Sequence, residues 1–194
     1  MPYLKIITGP MFSGKTEELI RLLHRSQISG KKILVIKPKI DTRTNSEIAS
    51  RKRSEITKGD FKKFMDLPAT PVEMAAELDQ LIADDKPDIL ALDEAQFFGD
   101  WIVAYITKLM SNQSDMMILV AGLDMDAWGK PFGSMPQLLA MADNVQKETA
   151  VCFVCKAPAT MTQKLSRSET TVEVGDSNIY EARCRFCYKQ PSEL

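Results

Sequence analysis

Apolar residues arrive in short bursts separated by longer amphipathic stretches, and this alternation repeats along most of the chain. YLKIIT at 3–8, KILVIK at 32–37, DILAL at 88–92 and MMILVA at 116–121 are too short for ordinary helices and rich in Ile, Leu and Val. Such runs predict strands buried on both faces. The segment 145–151 predicts one more. After the first run, Leu19, Ile20, Leu22 and Leu23 share one face of a helix expected over 15–29, which Gly30 stops. Pro38 ends the second strand, and residues 39–60, polar and weakly periodic, are expected to form a mobile loop. Thr70-Pro71-Val72-Glu73 has the form of a helix start, with Thr70 as cap, Pro71 at the first helical position and Glu73 closing a capping box. A further helix is expected over 100–110.

Strands alternating with helices imply an α/β fold: a mostly parallel sheet covered by helices on both faces. From Cys152 onward the rhythm changes, so a main domain over residues 1–150 and a small second domain over 151–194 are expected. With 194 residues, 44% apolar and 26% charged, the chain has the balance of a soluble globular protein. Its net charge of -1 gives no general attraction to nucleic acid. The start MPYLKIITGP reads as a first strand rather than a cleavable leader, and the longest apolar run, 116–123, is too short to span a bilayer. A cytoplasmic location without membrane contact is the expectation.

The first chemistry follows the first strand. Gly9-Pro10-Met11-Phe12-Ser13-Gly14-Lys15-Thr16 matches G-x-x-x-x-G-K-[ST] between a strand and a helix, the context this phosphate loop requires. Gly9 and Gly14 let the backbone curl so that its N–H groups face phosphate oxygens, helped by the helix that follows. Lys15 would neutralise the β- and γ-phosphates, and the Thr16 hydroxyl would ligate magnesium. ILALDEAQFF at 89–98 supplies the partner motif. Asp93, at the strand's carboxyl edge, would serve the metal, while Glu94, pointing elsewhere, could face a substrate and take its proton. A plain surface or capping acid is the alternative for Glu94. Asp41-Thr42-Arg43 lies just after the second strand, where ligands bind in such sheets, and Arg43 could reach the transferring phosphoryl group. His24 reads as a surface or packing residue.

Cys152-x-x-Cys155 and Cys184-x-x-Cys187 hold all four cysteines. Two such knuckles suit four thiolates around a structural zinc ion, with redox pairs or free thiols as the alternative. The 28 residues between them exceed the commoner zinc-ribbon spacing, so some segment must loop out. DEAQ also occurs in nucleic-acid-dependent ATPases, but those generally need a second ATPase lobe for which this chain has no room. A non-catalytic nucleotide-responsive zinc module is a third reading, opposed by the complete set of loop and carboxylates.

GPMFSGKT, KPKIDTR, LDEAQFF, GLD with KPFG, TAVCFVC and CRFCY occur in that order. Together they resemble the small zinc-containing (type II) thymidine kinases over nearly the whole chain. The resemblance implies ATP-magnesium as phosphate donor, the 5′-hydroxyl of thymidine, and usually deoxyuridine, as acceptor, and Glu94 as general base. It puts Asp41, Thr42 and Arg43 with Asp93, Glu94, Ala95 and Gln96 on the nucleotide and phosphate side. Met11, Phe97, Leu123, Phe132 and Thr162 fall where the family lines its thymine pocket. The segment between the knuckles becomes a lasso closing over the nucleoside, in which Val172, Glu173, Val174 and Gly175 match the strand that bonds the base and Tyr180 the tyrosine near the sugar. Ala127 stands where many relatives carry an aromatic residue against the nucleoside, with Trp128 beside it to take over the contact. Relatives are commonly homotetramers inhibited by thymidine triphosphate, which the resemblance extends to this chain.

Overall fold

The computed structural model describes residues 1–42, 46–53, 61–112, 115–165 and 179–191, the side chains of 50–53 and 61–64 excepted. Arg43 and the stretch 172–175, expected to contact phosphate and base, lie outside the described residues. In chain order the elements are β1 (Tyr3–Thr8), α1 (Lys15–Ile28), β2 (Ile33–Pro38), β3 (Glu47–Arg53), β4 (Phe61–Pro68), β5 (Thr70–Val72), α2 (Ala75–Asp85) and β6 (Ile89–Leu92). A 3-10 turn (Ala95–Phe97) precedes α3 (Trp101–Ser111), β7 (Met117–Gly122), α4 (Met135–Met141), β8 (Asn144–Lys147), β9 (Ala150–Val151), β10 (Pro158–Ala159), β11 (Met161–Lys164) and β12 (Tyr180–Arg183).

Six strands form one parallel sheet in the order β5-β2-β6-β7-β1-β8. Successive side chains on a strand point to opposite faces, and the core obeys this. Ile6, Leu34, Ile36, Leu90, Leu92, Ile118 and Val120 pack with Leu78, Ile102, Ile106 and Leu138 of α2, α3 and α4. Ile7, Val35, Ile89, Ala91, Leu119 and Ala121 pack on the other face with Leu19, Ile20 and Leu23 of α1. Both faces are therefore apolar, as the unbroken hydrophobic runs required. Among the described residues no helix is long and apolar enough to cross a membrane.

Several expectations need correction. Residues 39–60 are not one loop, because β3 pairs antiparallel with β4. Ile48 and Leu67 pack onto the α1 side of the sheet with Ala69, while polar and basic neighbours hide the two-residue period in sequence. Thr70-Pro71-Val72 is an edge strand beside β2, not a helix start. An edge position tolerates proline, since one side needs no amide donor. The helix begins at Ala75 after Met74 as N-cap, and Glu77 of its first turn accepts the N–H of Glu73, the residue before the cap, at 2.7 Å. The strand expected over 145–151 is two, β8 on the sheet edge and β9 paired with β10. The short helix α4, opened by Met135 and Pro136, was not anticipated.

Candidate active site at the carboxyl edge of the sheet

The phosphate loop springs from β1, where the Thr8 hydroxyl donates to the Gly122 carbonyl at 3.0 Å and anchors β1 to β7. Gly9 has φ 141°, and a Cβ there would come within 2.4 Å of the Glu148 carbonyl oxygen, so no other residue fits. Gly14, at φ 85°, turns the chain into α1 in the left-handed region that glycine enters at little cost. The loop's own groups close it: the Ser13 hydroxyl donates to the Pro10 carbonyl at 2.8 Å and the Lys15 ammonium to the same oxygen at 2.7 Å. The ammonium is thus stored inside the loop, at the amino end of a helix suited to anions.

Asp93 closes the floor of this cradle. Ala91 faces α1, so Asp93, two residues on, does as well. The Thr16 hydroxyl donates to its carboxylate at 3.1 and 3.2 Å. The following residue departs from the strand: Glu94 has φ 51° and ψ 43° and heads the 3-10 turn. A non-glycine residue held left-handed costs roughly 1 kcal/mol or more, and such cost concentrates at functional sites. The twist separates the two carboxylates. Asp93 Oδ1 accepts from the Glu94 N–H at 3.0 Å, whereas the Glu94 carboxylate, half-buried, accepts from Gln96 Nε2 at 2.5 Å. Gln96 Oε1 in turn accepts the Leu123 N–H at 2.9 Å.

Beyond Glu94 the surface turns apolar. Phe97 meets Phe132 edge to face, ring centres 5.4 Å apart. Leu123 is buried at the end of β7, and the Phe132 N–H donates to the Asp124 carbonyl at 3.1 Å, holding this side together. Asp126 ties the 126–130 turn by accepting from the Trp128 and Lys130 amides, both at 2.9 Å. From the other direction β11 arrives: the Thr162 hydroxyl accepts the Met11 N–H of the phosphate loop at 3.0 Å. Tyr180 is buried on β12, opposite Lys164.

The four cysteines converge on one point. Their sulfur atoms all lie within 4.8 Å of one another, with Cys155 and Cys184 3.6 Å apart. Four ligands at about 2.3 Å from a tetrahedral ion stand about 3.8 Å apart, so the set could hold a structural metal. All four are free thiols grouped as one cluster, not as two separated pairs. Burial opposes ionisation of Cys152, but amides of Cys155, Cys184 and Val154 directed at its sulfur prevail and bring the thiol down to about 6. Burial, and then the neighbouring sulfurs, push Cys187 up to about 12. The Cys187 amide directed at Cys184 lowers that thiol too, and thiol protons would leave as a metal binds.

Sequence comparison decides the family. The family model described as "Thymidine kinase" matches residues 2–188. The thymidine kinase of Rhodothermus sp. (strain ITI 518) is 38% identical over 190 residues, spanning 97% of this chain and 82% of the relative. That of Mesomycoplasma hyopneumoniae (strain 7448) is 39% identical over 186 residues, spanning 95% and 94%. The chain belongs to the thymidine kinase family.

Within this thymidine kinase family member, the residues singled out in sequence fall into two connected groups. Residues 9–16, Asp93 and Glu94 gather at the ends of β1 and β6; Thr162 joins them through Met11, Leu123 through Gln96, and Phe97 packs on Phe132. Ala127 is buried, its carbonyl accepting from the Tyr188 hydroxyl at 2.7 Å, while the Trp128 ring lies 5.5 Å from the Lys164 ammonium. Thr42 is exposed. Two residues of the site escaped sequence reading. Lys164 is fully buried. Lys37, only 1% exposed, lies 3.7 Å from the buried Asp41 carboxylate. Register places Ile36 beside Leu92, so Lys37 follows abreast of Asp93 on the α1 side. The visible signal was a lysine ending an otherwise apolar strand, four residues before an aspartate. Lys37→Met removes the ammonium beside a buried carboxylate, which costs about 3–5 kcal/mol when a buried pair is broken. Denaturant unfolding should show that loss, with part recovered in Lys37→Met/Asp41→Asn.

Proposed function

We propose that this protein transfers the γ-phosphate of ATP to the 5′-hydroxyl of thymidine, and also of deoxyuridine, with Glu94 as general base. The observation that carries this is the junction at Asp93 and Glu94: one carboxylate is bonded to Thr16 of the phosphate loop, and the next is bonded to Gln96, which also holds the Leu123 amide. Donor and acceptor would meet across that junction. The names of the relatives support the nucleoside, and the wall of Phe97, Phe132 and Leu123 suits a flat base.

The roles follow from position. The loop amides and Lys15 would hold the β- and γ-phosphates, Lys15 leaving the Pro10 carbonyl for the anion. Thr16 and Asp93 would hold magnesium, which when bound neutralises phosphate charge. Glu94 takes the hydroxyl proton as the oxygen attacks, the rest being positioning in a site shielded from water. Arg43 is assigned to the phosphoryl group, and the segment around Val172, Glu173, Val174 and Gly175, with Tyr180, to covering the nucleoside. The four cysteines suit zinc by their donor chemistry, and pinning both ends of that segment lowers the entropy lost when it orders. A panel of ribo- and deoxynucleosides assayed with ATP and magnesium should give 5′-monophosphates of thymidine and deoxyuridine and little from purine nucleosides, with one zinc per chain by metal analysis. ATP hydrolysis without any nucleoside product would overturn the assignment.

A further inference from the structure

The geometry points to Gln96 as the positioning residue for the Glu94 carboxylate, a role distinct from contact with the nucleotide. The inference rests on Glu94 acting as the base. It starts from the direction of the Gln96 amide. The backbone N–H of Leu123 can only donate, so the amide oxygen must face it, at 2.9 Å. The amide nitrogen is then fixed toward Glu94, where it donates to Oε2. Gln96 is buried, and its neighbours approach it closely. A Cβ on Gly122 would lie 2.9 Å from Gln96 Oε1 and 2.6 Å from the sulfur of Met135. A Cβ on Gly133 would lie 2.1 Å from the Gln96 carbonyl oxygen. Two glycines thus allow the close approach of one glutamine, which ties the head of the 3-10 turn to Leu123, the residue after β7.

The consequence concerns where the proton goes. With Oε2 held by Gln96, the Glu94 carboxylate is fixed in one orientation toward the acceptor hydroxyl. The hydroxyl proton passes to that carboxylate as the new O–P bond forms and the bond from the γ-phosphorus to the β–γ bridging oxygen breaks, leaving ADP. Leu123 belongs to the apolar wall, so the same amide sets the carboxylate in register with the surface on which the acceptor rests.

The test is a double-mutant cycle on the full-length, zinc-loaded protein, reading kcat and KM for ATP and thymidine in Gln96→Leu, Glu94→Gln and the pair. A misplaced base typically costs on the order of 10²-fold. Gln96→Leu should therefore lower kcat by about 10²-fold with KM for ATP within about threefold, and should cost less than about twofold more in the Glu94→Gln background. Gln96→Glu keeps an oxygen for the Leu123 N–H but sets a carboxylate against Glu94. It should show the same kcat loss, and it carries the test should the leucine variant not fold. A Gln96→Leu loss confined to KM for ATP, or one that persists in full on Glu94→Gln, would overturn the inference. So would normal kcat in a protein whose thermal midpoint alone has fallen. If Glu94→Gln itself keeps its rate, the assignment of the base fails first and Gln96 falls with it. If only the Gln96 variants keep theirs, the base stands and the positioning role does not.

Discussion

Glu94→Gln will bind ATP and thymidine with near-normal affinity and lose about 10²–10⁴-fold in kcat, the contribution typical of a positioned base. The substitution isolates one property. Glutamine has the same length, and its side-chain oxygen can still accept from Gln96 Nε2, so the left-handed turn and its bond are kept. What disappears is the capacity to take a proton. The Glu94 N–H that donates to Asp93 belongs to the backbone and survives the substitution, as do the bonds of Lys15 and Thr16, so the donor should stay seated. Initial rates at saturating substrates, with binding of each ligand measured on the same preparation, separate the two quantities. A variant retaining more than about a third of the normal rate would remove Glu94 from the mechanism, since a loss that small lies far below what proton transfer supplies.

If the four cysteines hold a structural metal, removing it should have a larger structural effect than any single side chain outside them. The small core around the cluster consists of Ala150, Cys152, Ala159 and Ala182, flanked by Cys184 and Cys187. Burying three alanine methyls and one cysteine contributes about 3 kcal/mol at ~0.8 kcal/mol per carbon. The strands here are two to four residues long. A structural zinc contributes about 10–16 kcal/mol to the folding of small domains at neutral pH, so the ion outweighs the local core. Chelation, or Cys184→Ser, should therefore abolish thymidine phosphorylation and expose the region after residue 150 to protease. The six-stranded sheet, with its two extended cores, should keep its circular dichroism and its ATP binding. A chelated protein that resists protease after residue 150 and keeps full activity would refute a structural metal.

What could be read from sequence was whatever depends on short-range pattern. The central strands were legible because they are buried on both faces, so Ile89 to Leu92 could be nothing but apolar. The phosphate loop was legible because Gly9 and Gly14 are each demanded by a backbone angle. Pro71 misled because the same residue satisfies a helix start and a sheet edge, and only the neighbouring β2 decides between them. The hairpin of β3 and β4 was hidden because its apolar contribution to the core is small and its far end is basic, with Arg51 opposite Lys63 and Lys52 opposite Lys62. In the site, Asp93 and Glu94 were recognisable as a pair pointing to different sides, but the left-handed turn at Glu94 that separates them was not, since sequence does not display one residue's backbone angles. Lys37 was missed for a related reason: its meaning lies in the strand beside it, not in the residues before and after it.

The bond from the Met11 amide to the Thr162 hydroxyl has a consequence for recombination between relatives. Any parent supplies the amide, because it belongs to the backbone, but the oxygen that receives it sits some 150 positions later on a different side chain. A hybrid spliced near residue 150 would inherit a seated loop only when its incoming half brings an acceptor at that place. Crossover tolerance in this family should therefore track a single threonine more closely than it tracks identity between the parents.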